Sequence, residues 1–153
     1  MSKTLKYITR FVTCISLLAS CVEKYTPEQE KKIISGRYNF AAVESVNLNG
    51  TKYDSTYCGA FDLALDEENP EKVIITGRWN GTGRKVGMNI VFDPMTLKTD
   101  ERELQCTFTV FEKKPHDYTY TFNYTAEGTA LNALGRPTPV KIKAKVEAVK
   151  ISR

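Results

Sequence analysis

The chain has 153 residues, with 22 Lys and Arg against 18 Asp and Glu. Three of those cations (Lys3, Lys6 and Arg10) and none of the anions stand in the first 20 residues, which leaves 19 against 18 in the following 133. That length suits one domain with a real core, and a net charge of about +1 gives no basic surface for nucleic acid.

Residues 1–20 read as an export signal. An apolar run from about Phe11 to Leu18 follows the cations. It is far shorter than the roughly 20 residues that cross a bilayer as a helix, and it fits a secretory signal. Leu18-Ala19-Ser20-Cys21 resembles the lipobox of bacterial lipoproteins: a branched apolar residue, two small ones, then cysteine. The resemblance implies that Cys21 becomes the lipidated first residue of the mature protein. Two or three acyl chains hold a domain on a membrane stably where one does so only marginally. Cys14 fits worse, because it lies inside the apolar run behind Val12 and Thr13. An ordinary signal with an incidental cysteine is the alternative. Val22 stands where Asp would resemble an inner-membrane retention signal, so the reading leans to the outer membrane and leaves the periplasmic or surface face open. The expected organisation is a signal over 1–20, a lipidated tether with a short helix over 21–35, and a strand domain over 36–153.

Thr26-Pro27-Glu28-Gln29 predicts a helix start, with Thr26 as cap, Pro27 in the first turn and Gln29 completing a capping box. Gly36 ends that helix. The periodicity then changes from helical to two. Tyr38, Phe40 and Ala42 alternate with polar residues up to an Asn49-Gly50 hairpin turn. Tyr57, Gly59, Phe61, Leu63 and Leu65 share the next inward face, and Asp66 to Glu71 form a polar turn. Val73, Ile74 and Ile75 lead to Trp79, and Asn80-Gly81-Thr82-Gly83 reads as a turn. Val86, Met88, Ile90 and Phe92 read as one alternating strand, stopped by Asp93-Pro94. Leu97 to Arg102 read as a weak, charged strand. Leu104, Cys106, Phe108 and Val110 continue the inward pattern. Tyr118, Tyr120, Phe122 and Tyr124 form an aromatic stripe. A loop is expected over Glu127 to Pro139, then a last strand with Val140, Ile142, Ala144, Val146 and Ala148 inward.

One buried face per strand implies an antiparallel sheet. Short sequential links make it an all-β, eight-stranded meander that can close into a barrel and remove its edges. A Greek-key β-sandwich is the alternative.

The order of features resembles lipocalin-like or calycin-like barrel lipoproteins of Gram-negative envelopes. A capped turn runs into Gly36-Arg37-Tyr38, where lipocalins have Gly-x-Trp. An acidic Asn-Pro turn, Val73-Ile74-Ile75-Thr76-Gly77 and a Gly-rich turn follow. The likeness covers most of residues 30–151 and implies an eight-stranded barrel with an apolar cavity.

In such a barrel Trp79, Tyr118, Tyr120, Phe122 and Tyr124 could line a cavity for a small apolar or amphipathic ligand. Plain core packing is the competing reading of the same residues. An open interior beneath Tyr120 and Phe122 would favour a ligand-binding module. A filled one would favour a structural or protein-interaction lipoprotein, such as an envelope complex subunit or an inhibitor.

Cys58 and Cys106 could close a loop of about 48 residues by a disulfide, worth about 4 kcal/mol in the chain-entropy model. Strand parity opposes it, placing Cys106 inward and Cys58 outward. Asp54-Ser55-Thr56 resembles a bacterial O-glycosylation acceptor in a loop, at Ser55. His116, the only histidine, sits in a Pro-containing turn without a second ligand nearby. No hydrolase, zinc or nucleotide motif occurs. No enzyme, metal site or cofactor is therefore expected, and the expected partners are the membrane, through Cys21, with a small ligand or an envelope protein.

Overall fold

The computed structural model describes residues 24–115 and 117–151. Cys21 and His116 lie outside the described residues. Thr26 caps helix α1 (Pro27–Ile34), its hydroxyl accepting from Gln29 N while the Gln29 side chain accepts from Thr26 N. Both halves of the capping box are therefore present. Ile34 is fully buried, and the Tyr38 hydroxyl donates to its carbonyl at 2.8 Å.

Ten strands follow: β1 (Gly36–Leu48), β2 (Thr51–Leu65), β3 (Lys72–Gly77), β4 (Gly81–Val86), β5 (Asn89–Phe92), β6 (Met95–Lys98), β7 (Arg102–Phe108), β8 (Glu112–Lys113), β9 (Thr119–Leu131) and β10 (Pro137–Lys150). All pairings are antiparallel, in the order β5-β4-β3-β2-β1-β10-β9-β7-β6, with β8 also on β9. Bonded neighbours follow the chain, and β10 returns to β1. That is a meander curled into a barrel with a gap between β5 and β6, and it excludes the Greek key. A bridge between Ile90 and Phe111 links β5 to the segment leading into β8, with N–H to O distances of 3.1 and 2.8 Å.

The hairpin at Asn49-Gly50 has both residues at positive φ, 49° and 87°, as a type I′ turn requires. Asp66 organises the next turn, its carboxylate accepting from Glu68 N and Asn69 N at 2.9 and 3.0 Å.

Four expectations are corrected. Among the described residues there are ten strands rather than eight, because Val86 to Phe92 belongs to a hairpin and not to one strand, and because Glu112–Lys113 forms the short β8. Val86 pairs with Asn89 across Gly87 and Met88, so Val86 points out and Lys85 points in. Leu97 to Arg102 likewise contains a turn, closed by Thr99 N to Arg102 O at 2.8 Å, which places Asp100 and Glu101 at its tip. The expected turn at Asn80 to Gly83 is mostly strand, and the chain turns at Arg78 and Trp79. The loop after Glu127 shrinks to residues 132–136, since β9 runs to Leu131 and β10 begins at Pro137. Glycine misled the reading in both places. A side chain at Gly83 would place Cβ 2.4 Å from Val91 O, and one at Gly128 would place it 2.0 Å from Glu103 O. These glycines permit close strand approach and do not mark loops.

A further departure is a bulge. Phe108 pairs with Tyr124, and Glu112 pairs with Thr121. Four steps on one strand thus oppose three on the other. One extra residue reverses the side-chain parity. Val110 is turned outward and Phe111 is fully buried.

Phe111 stacks on Phe122 with ring centroids 3.6 Å apart and an interplanar angle of 6°. Phe111→Ala should cost about 3–5 kcal/mol, the range for removing a buried Phe, and urea unfolding monitored by circular dichroism measures it. Val110→Ala should cost far less.

Candidate functional site

The barrel interior is an aromatic cluster. Tyr38, Phe40, Phe61, Trp79, Phe92, Phe111, Tyr120, Phe122 and Tyr124 are all buried and connected ring to ring. Trp79 is its hub, in contact with Phe40, Phe61, Phe108, Phe122 and Tyr124 at centroid distances of 5.2 to 6.1 Å. The short β3–β4 turn tucks it into the middle of the barrel.

Four of the five expected cavity residues, Trp79, Tyr120, Phe122 and Tyr124, are brought together, but as packing. The Tyr120 hydroxyl donates to Met88 O at 2.8 Å, and the Tyr124 hydroxyl donates to the Glu44 carboxylate. These two hydroxyls are committed to protein acceptors and are not displayed to a ligand. Tyr118 stands apart, 51% exposed. Its parity is inward, but it precedes β9 and lies beyond the rim, where Lys150 Nζ sits 5.8 Å from its ring centroid.

The opposite end of the barrel keeps a small mouth. A recess of about 140 Å³ there is lined by Glu44, Val46, Ser55, Leu104, Val140 and Ile142, among others. Drug-sized ligand sites occupy about 300–1,000 Å³. Its polar lining is Glu44, Tyr53, Ser55, Glu101 and Arg102, of which Glu44 is buried, to 7% exposure, and paired in register with Ser55. Below it, the Arg78 guanidinium lies 4.5 Å from the Tyr57 ring centroid, and its Nε has no hydrogen-bond partner. The Trp79 indole N–H has no oxygen or nitrogen acceptor and lies beside the Cys106 thiol.

Cys106 is buried, Cys58 is exposed, and both are free thiols. Parity decided this, since the side chains stand on opposite faces of the wall. Burial raises the Cys106 thiol pKa. Ser55 lies within β2 and not in a loop; it is half-buried and faces the mouth. Among the described residues, no group of three His, Cys, Asp or Glu is arranged to hold a metal ion. The chain matches no family model and no curated protein.

Sequence reading did not single out Glu44, although its even parity in β1 is that of Tyr38, Phe40 and Ala42. It also missed Lys85. That lysine is 9% exposed, and its Nζ is 2.5 Å from the Glu30 carboxylate of α1. Glu71 adds a second carboxylate at 3.9 Å.

Burial raises the pKa of the phenols of Tyr38, Tyr120 and Tyr124 well above the ordinary value, and for Tyr124 the Glu44 carboxylate adds to the effect. Each folded-state value lies above that of the unfolded chain. The stabilising contribution is therefore complete below pH about 10 and is lost as the pH rises through the folded value. In an ultraviolet titration the phenols of Tyr38, Tyr120 and Tyr124 should remain protonated beyond the ordinary phenol range, and urea should release them.

Proposed function

We propose that this chain is a membrane-anchored, non-catalytic lipoprotein of the bacterial envelope, lipidated at Cys21, whose barrel serves as a rigid scaffold for a protein partner. The observation that carries the choice of scaffold over ligand carrier is the stack of Phe111 on Phe122 at the centre of a ring-filled interior. A carrier of apolar ligands needs that space empty. The lipobox-like Leu18-Ala19-Ser20-Cys21 supports the anchor, and Val22 favours the outer membrane.

The anchor reading predicts an intact mass for the membrane-extracted protein that begins at Cys21 and carries acyl chains. Cys21→Ser should leave the protein uncleaved and unacylated. The scaffold reading predicts that crosslinking in intact cells recovers one defined envelope protein. Native mass spectrometry with lipid-like probes should retain none. Retention of a probe at one copy per chain, with no crosslinked partner at native abundance, overturns the scaffold reading.

A second reading rests on Glu44. A buried carboxylate lining the mouth suits a small hydrogen-bond donor or cation, held at the rim rather than in the core. Under that reading, Glu44→Gln abolishes retention of a small amine.

A further inference from the structure

A cleft of about 500 Å³ separates α1 from the ends of β9 and β10 at the helix end of the barrel. Tyr25, Lys32, Ile33, Tyr118, Lys150 and Ile151 line it, and none of the described residues lining it is a carboxylate. Tyr118 is 51% exposed and Ile151 is 54% exposed, an outlay of apolar surface that the aromatic core does not need. Lys150 is held in place, its Nζ donating to Lys32 O at 2.5 Å at the C-terminal turn of α1.

The chemistry and the position of this surface agree. Tyrosine rings with lysines whose stems lie on apolar surface are the residues that settle at a membrane–water interface. Basic side chains there add attraction to anionic headgroups. Position follows from the covalent chain. Cys21 precedes Tyr25 by four residues, and at no more than about 3.6 Å each these reach about 14 Å. An acylated Cys21 at the lipid surface therefore keeps Tyr25, at the edge of the cleft, close to the headgroups whatever path the tether takes.

We infer that the cleft formed by Tyr25, Lys32, Tyr118, Lys150 and Ile151 is a docking surface for the headgroup layer of the anchoring bilayer, so that the barrel stands on its helix end. This rests on the lipidation of Cys21. The Asn49-Gly50 turn and the loop at 132–136 then form the distal end, because β1, β9 and β10 all run between the two ends. Strands of 13 residues rise about 3.3 Å per residue and tilt by about 35–45° in a barrel. The distal loops accordingly stand on the order of 30 Å from the lipid, with Glu44 and the mouth on that side.

The test uses the mature acylated protein in vesicles of phosphatidylethanolamine and phosphatidylglycerol, part of the lipid carrying brominated acyl chains. Two variants report on the two ends, Tyr118→Trp and Leu134→Trp, each at an exposed position and each above the common background of buried Trp79. The expected result is severalfold stronger quenching of the added tryptophan at 118 than at 134. Equal quenching at both positions, or none at 118, in protein that floats with the vesicles overturns the orientation and leaves the anchor standing. Protein that neither floats nor carries acyl mass removes the anchor reading and this inference together.

Discussion

A barrel whose strands each offer one apolar face must be filled from within, and here the filling is a set of aromatic rings locked by Trp79 and by the Phe111–Phe122 stack. Every other feature follows from the need to seat those rings. Ala42, Ala126, Ala144 and Ala148 keep neighbouring inward positions small. Gly83 and Gly128 allow close strand approach where a Cβ would strike backbone. The bulge before β8 turns Phe111 inward, and the Ile90–Phe111 bridge then spans the gap at the helix end. Ring contacts with centroids about 4.5–7 Å apart contribute beyond the area they bury, so this cluster is both filler and clamp.

The helix end is finished differently. Lys85, one residue before the end of β4, faces inward, and α1 supplies the carboxylate that makes its burial tolerable. A buried ion pair is weak evidence for stability, but removing one partner leaves an uncompensated charge. The Lys85–Glu30 contact therefore fixes where the helix lies more than it strengthens the fold. The Tyr38 hydroxyl on Ile34 O and the Ser35 hydroxyl, which accepts from Leu65 N, tie the same helix to the wall. Together they make a structured base between the barrel and the residues that lead back to Cys21.

These two ends divide the labour that the proposed function requires. The base is tyrosine- and lysine-rich and begins four residues after Cys21, the proposed anchor. The other end carries the longer hairpins and a shallow recess around Glu44. Between them lies a core with its tyrosine hydroxyls satisfied internally, which suits a rigid spacer that presents loops to another protein.

The sequence by itself determined the capped helix, the Asn49-Gly50 turn, the inward faces of β1, β2, β9 and β10, and the opposite placement of Cys58 and Cys106. These are local matters: a cap needs a hydroxyl and an amide three residues apart, a type I′ turn needs residues that accept positive φ, and strand parity holds wherever pairing is uninterrupted. Only the tertiary structure decided that Phe111 enters the core in place of Val110, that Lys85 is buried, that Tyr118 lies past the rim and that the aromatic stripe closes the cavity it seemed to line. Each of these depends on a partner distant in sequence. The extra residue of a bulge is visible only against Asn123 and its neighbours on β9, and the lysine's burial requires Glu30, 55 residues earlier. Whether rings enclose a space or fill it depends on how both sides of the wall meet, which no single strand records.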